Sequence, residues 1–100
     1  MNVEILREAQ EELDASIEYY EAIEAGLGIR LKEEARAAIQ WIKKNPDVPR
    51  LRANGYRRVN LKVFQHYIAY FIWGDTIWIV AIAHGRQLPE YWLKRKKLIR

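Results

Sequence analysis

The chain contains no cysteine, which excludes disulfides, thiolate metal sites and a cysteine nucleophile together. It also lacks any apolar run near the ~20 residues that a membrane-spanning helix needs, so no membrane contact is expected. The first residues, MNVEILREAQEELD, meet acidic side chains within the first turns and have no apolar stretch of signal-peptide type. A cytoplasmic location is therefore expected. Internal repeats and low-complexity segments are absent, and neither a cofactor nor a metal is expected.

Its 100 residues suit one domain, 1–100, with one real core and little more. Half of them are hydrophobic and charge is interspersed, which argues against disorder. The charge is uneven along the chain. Residues 1–49 hold 6 Lys/Arg against 11 Asp/Glu, whereas residues 50–100 hold 11 against 2. The basic half is a candidate surface for an anionic partner, nucleic acid or an acidic protein. Alternatively, the two halves neutralise each other across the fold.

Asn2 to Leu6 alternate polar and apolar residues, as a short strand does. From Glu8 the period changes: Ala9, Leu13, Ile17, Tyr20 and Ile23 recur at helical spacing, with Glu8, Glu11, Glu12, Asp14, Glu18 and Glu21 around the rest of the cylinder. Gly26 ends this helix. After Leu27-Gly28 a second helix follows, with Leu31, Ala35, Ala38, Ile39 and Ile42 on one face, closed by Lys43, Lys44, Asn45 and Pro46. The short link between them predicts an antiparallel helical hairpin.

Pro46 to Gly55 reads as a loop. The stretch from Tyr56 to Trp92 then holds nine of the twelve aromatic residues. Arg57, Val59, Leu61 and Val63 alternate with polar neighbours, which predicts a strand with one buried face. Gln65–Trp73 and Thr76–Ala83 are apolar on both faces, which predicts covered strands joined by a Gly74-Asp75 reversal. The helical hairpin covers only one face. Either the C-terminal segment EYWLKRKKLIR, a basic helix or tail, folds back over the other, or a protein partner does. The four tryptophans are expected mostly in the core, with Trp73 and Trp78 pairing across the strands and Trp92 anchoring the C-terminal segment. The fold class is α+β: an N-terminal strand and helical hairpin packed on a twisted antiparallel sheet, β-α-α-β-β-β, with a C-terminal helix or tail.

In order, Tyr19-Tyr20-Glu21, Gly26-Leu27-Gly28, Tyr56-Arg57-Arg58, Phe64 to Tyr70 (FQHYIAY), Ala83-His84-Gly85-Arg86 and Pro89-Glu90-Tyr91-Trp92 resemble the RelE/ParE superfamily of toxins from bacterial type II toxin-antitoxin modules. The resemblance covers about Val3 to Arg95. It implies a growth-inhibiting toxin, with plasmid stabilisation as a setting, held inactive by a cognate antitoxin that wraps it through a helix and an extended segment. Operator DNA would be contacted only through the antitoxin.

The superfamily divides in mechanism. RelE-like members cleave mRNA in the ribosomal A site; ParE-like members inhibit DNA gyrase. RNA cleavage needs a base for the 2′-proton, cationic stabilisation of the developing charge and an acid for the leaving oxygen. The residues that match such a set are Arg58, Arg86 and Tyr91, with His84 as a base that titrates near neutrality; these are catalytic candidates only if the chain is a nuclease. Where the nuclease branch has further basic residues this chain has Asn60 and Tyr67, with Lys62 one pleat further on. An arginine is always charged and is no ready base. His66 is a weaker candidate than His84. The long helical hairpin, the PEYW exit and the eroded basic set resemble the ParE-like branch more closely, so gyrase is the preferred target and the ribosome with mRNA the alternative. A silent or repurposed toxin and a bare DNA-binding module are the remaining readings.

Overall fold

The computed structural model describes residues 1–99. The elements run β1 (Asn2–Ile5), α1 (Arg7–Ile23), α2 (Leu27–Lys44), a 3-10 turn (Ala53–Gly55), β2 (Arg57–Asn60), β3 (His66–Trp73), β4 (Thr76–His84), α3 (Glu90–Leu93) and a 3-10 turn (Lys94–Leu98). This is the expected α+β order. The four strands lie in the order β1-β4-β3-β2.

The sheet is mixed. β2, β3 and β4 form the expected antiparallel meander, but β1 adds to β4 in parallel, with Val3 opposite Ile77. A parallel neighbour needs a long connection, and here the whole helical hairpin and two strands intervene. Gly74 takes the positive φ, 59°, at the first residue of the two-residue β3–β4 turn, where that conformation suits a hairpin.

Each sheet face carries its own core. On one, Leu13, Leu31, Ala35 and Ile42 from the helices meet Ile68, Tyr70, Ile77, Ile79 and Ile82. On the other, Trp92 is fully buried among Tyr56, Tyr67, Phe71 and Val80, with Leu93 and Ile99 packed alongside. The C-terminal segment thus covers the second face. Of the tryptophans only Trp92 is wholly buried; Trp73 is 60% and Trp41 41% exposed. Trp73 and Trp78 do not pair: Trp78 stands opposite Phe71 and Trp73 opposite Thr76.

Two motifs of the sequence form one joint between the helices. Glu21 accepts from the backbone N–H groups of Gly26 (2.7 Å) and Gly28 (2.9 Å), and the Gly26 bond holds its carboxyl below the usual range. Gly28 lies so close to α1 that a Cβ there would clash with the Ile17 carbonyl oxygen. Tyr20 packs edge-on to Phe64.

β2 stops at Asn60, earlier than its alternation predicts, and Val63 is exposed while Phe64 is buried. The cause lies in α2. The Glu34 carboxylate accepts from the backbone N–H groups of Lys62, Val63 and Phe64, which curls this stretch into a turn just after the Leu61 N–H to His66 carbonyl bond at 2.9 Å.

Candidate functional site

At the end of the sheet where β3 begins and β4 ends, two clefts meet at His66. The first, about 470 Å³, lies between α1 and the β4 exit and is lined by Glu12, Ser16, Tyr19, His66, His84 and Tyr91 among others. The second, about 410 Å³, is lined by Arg58, Asn60, Lys62, His66 and Arg86. The nuclease candidates are therefore divided: Arg58 and Arg86 border one cleft, His84 and Tyr91 the other.

Arg58 is positioned by β2. Its guanidinium lies 3.9 Å from the centroid of the Tyr67 ring, and its NH2 nitrogen donates to Asn60 Oδ1 at 2.8 Å. Tyr67 and Asn60 hold this arginine in place by cation–π contact and hydrogen bond. Arg57 points elsewhere, donating to the Pro49 carbonyl at 3.1 Å with Asp47 at 3.7 Å, and so ties the preceding loop to the sheet.

The two histidines face each other across the strands, His66 opposite His84, with ring centroids 5.5 Å apart. His66 is buried; its Nε2 lies 3.2 Å from Ser16 Oγ and its Nδ1 has no partner. Burial, and secondarily the neighbouring His84, push its pKa below the ordinary 6.5. His84 Nδ1 accepts the backbone N–H of Arg86 at 3.3 Å, and the backbone N–H of His84 donates to Gln87 Oε1 at 3.0 Å. Arg86 itself is exposed.

Tyr91 is tied into a network. Its hydroxyl donates to Glu12 Oε2 and accepts from Arg95 NH2 at 3.2 Å. Arg95 also pairs with both Glu12 oxygens at 3.0 Å and donates to the Val80 carbonyl at 2.9 Å, while Glu12 Oε1 accepts from Ile82 N–H at 3.1 Å. Val80 is the extra residue of a bulge, since Ala69 faces Ala81 and Tyr70 faces Ile79. Beyond β1, the ion pair takes up edge groups of β4 that have no strand beside them.

Glu12, Glu34 and Arg95 were not legible as special. Glu12 reads as one of several carboxylates on a polar helix face, yet its side chain is only 15% exposed. A third feature is apolar: α2 and the edge strand β2 form a groove of about 550 Å³, lined by Ala37, Ala38, Trp41, Val59 and Leu61, with Glu34 and Lys62 at its rim.

Among the described residues no helix is long and apolar enough to cross a membrane, and no cluster of three or more His, Asp or Glu is arranged to hold a metal. Among curated proteins no match is found. Among solved structures, a chain described as "Chromosomal ParDE TA system from P. aeruginosa" is similar with a TM-score of 0.66 and 19% identity, over 84% of this chain and 95% of that one, a likeness of fold. A family model described as the ParE toxin of type II toxin-antitoxin system, parDE, matches residues 3–89. The chain therefore belongs to the ParE toxin family of type II toxin-antitoxin systems.

Proposed function

We propose that this toxin acts as one domain, residues 1–100, in the cytoplasm, and that it stops growth by inhibiting DNA gyrase until its cognate antitoxin neutralises it. The observation that carries the choice of target is the division of the nuclease set. Tyr91 is committed to Glu12 and Arg95, His84 Nδ1 accepts a backbone N–H, and both lie in a different cleft from Arg58 and Arg86. General acid–base chemistry needs acid, base and charge stabiliser around one reacting phosphate. Membership of the ParE family supports the same reading.

The apolar groove beside Trp41 suits the antitoxin. An unpaired edge strand next to an apolar trough accepts an extended segment by backbone pairing and an apolar side chain by burial. Operator DNA is reached in this reading through the antitoxin. The test is a supercoiling assay with purified gyrase and relaxed plasmid. Supercoiling falls with toxin dose and recovers on adding antitoxin; supercoiling unchanged by excess folded toxin contradicts the proposal.

A second reading, ribosome-dependent mRNA cleavage, is favoured by one observation. Arg58, Lys62 and Arg86 line a single cleft together with His66 and no carboxylate, an arrangement suited to a phosphate. Under that reading Arg58→Ala or Arg86→Ala abolishes mRNA cleavage in a folded protein, and cleavage that survives both removes it.

A further inference from the structure

Much of the basic C-terminal half lies away from these clefts. On the sheet face opposite the helical hairpin, the loop before β2 and the C-terminal segment enclose a cleft of about 300 Å³, lined by Arg50, Arg52, Asn54, Tyr56, Glu90 and Leu93 among others. Two consecutive loop residues, Asn54 (φ 75°) and Gly55 (φ 84°), adopt the left-handed conformation. For the asparagine this is uncommon backbone, of the kind that the surrounding structure must hold in place. The turn closes on Arg52, whose carbonyl accepts from Gly55 N–H at 2.9 Å and whose N–H donates to the Tyr56 carbonyl at 2.8 Å. Lys96 reaches the loop from the other segment: a Cβ on Gly55 would lie 3.8 Å from its Nζ, which also stands 5.1 Å from the Phe71 ring centroid.

None of these three cations, Arg50, Arg52 and Lys96, has a carboxylate within ion-pair distance among the described residues, whose ion pairs are Arg57–Asp47 and Arg95–Glu12. The Arg52 Nε–H is in addition shielded from solvent and donates to no acceptor. The shielded N–H is out of a ligand's reach, but it marks a guanidinium that the protein leaves unsatisfied, and the terminal nitrogens of its planar fork are the groups that fit an oxyanion in the cleft. The one opposing charge in the cleft is Glu90.

We propose that this cleft is a phosphate site through which the toxin's own surface takes the phosphodiester backbone of nucleic acid. Arg52 is the central donor, and Arg50 and Lys96 flank it. A free phosphate shares this chemistry, but two arginines of one loop lining the cleft, with Lys96 of the C-terminal segment beside Gly55 outside it, suit successive backbone phosphates better than one small anion. The site lies on the opposite sheet face from the Trp41 groove, so antitoxin in that groove leaves it open.

The test is fluorescence anisotropy of a labelled 20-base-pair duplex with full-length protein, across a series of salt concentrations. Wild type binds at low salt with an affinity that falls linearly on a log–log plot against salt. Arg52→Gln weakens binding about 10-fold at low salt and lowers the slope by about one, as expected when one phosphate is no longer neutralised. Glu90→Gln tightens binding several-fold, an effect that no merely structural role of Arg52 produces. Circular dichroism melting of each variant separates loss of binding from loss of fold. Equal binding by wild type and a folded Arg52→Gln overturns the proposal, as does a loss confined to Arg58→Gln and Arg86→Gln. If inorganic phosphate shifts the Arg52 Nε–H resonance while the duplex does not bind, the anion is free phosphate and the assignment to nucleic acid is overturned.

Discussion

Glu12 and Arg95, 83 residues apart in the sequence, form a two-point ion pair at 3.0 Å that joins α1 to the C-terminal segment across the bulged part of β4. The two side chains are 15% and 13% exposed. The pair also meets Ile82 N–H and the Val80 carbonyl, so removing one member strands the other and a backbone group besides.

Glu12→Gln therefore destabilises the fold by about 2–4 kcal/mol, the cost of breaking a buried pair reduced for its partial exposure. Urea unfolding measures it, and a double-mutant cycle with Arg95→Met isolates the coupling between the two. Trypsin cleavage after Lys94, Arg95, Lys96 and Lys97 accelerates in Glu12→Gln if the pair is what holds the C-terminal segment to the helices; unchanged cleavage contradicts that role.

The same segment is held on its inner side by Trp92. Its indole N–H donates to the Tyr67 hydroxyl at 2.7 Å, which donates to the Gln87 carbonyl at 2.9 Å. Tyr67→Phe keeps the ring beneath Arg58 but leaves the buried indole N–H without an acceptor. The expected loss is about 1–3 kcal/mol, read as a lower urea midpoint with an unchanged slope. A loss below ~0.5 kcal/mol shows that the bond contributes little beyond packing.

Gly28→Ala tests the joint between the helices. The added methyl clashes with the Ile17 carbonyl oxygen and meets the Glu21 Cβ at 2.9 Å, so the hairpin must open. Although alanine favours helix more than glycine does, overpacking against backbone outweighs that gain, and a net destabilisation of about 1–3 kcal/mol is expected. A higher melting temperature in Gly28→Ala contradicts the close approach.

How much of the fold is open to reading from the chain follows from distance along it. The helical hairpin is local: the apolar stripe, Gly26 and the Lys43–Pro46 stop mark it with near neighbours. The β3–β4 hairpin is equally local. The parallel seat of β1, the end of β2 and the covering of the second face are set instead by contacts between residues far apart in sequence, such as Glu34 with Val63 and Glu12 with Arg95. Periodicity reports which face a residue is on. It does not report which of several carboxylates on a polar helix face will find an arginine on the C-terminal segment. For the candidate site, the sequence supplied Arg58, His84, Arg86 and Tyr91, but not their division between two clefts, nor the bond from Tyr91 to Glu12, 79 residues away in the chain.

His66 gives a pH dependence with a defined sign. Its folded pKa lies below 6.5 because of burial first and His84 second, so the unfolded chain binds the proton more readily. The stability it contributes is present above pH ~6.5 and is lost as pH falls through its folded pKa. Glu21, also lowered, loses its contribution only below its ordinary value of 4.5. Between pH 7.5 and 5, wild type therefore loses stability and His66→Gln loses less of it. Equal slopes in urea midpoint against pH contradict the burial of a neutral imidazole.

The most direct test of the proposed target is pulse incorporation of labelled thymidine and methionine in bacteria shortly after this chain is induced alone. Inhibition of gyrase predicts that thymidine incorporation falls first while methionine incorporation continues. If methionine incorporation stops first, translation is the target, the gyrase account is contradicted, and Arg58, His84, Arg86 and Tyr91 become the residues to replace.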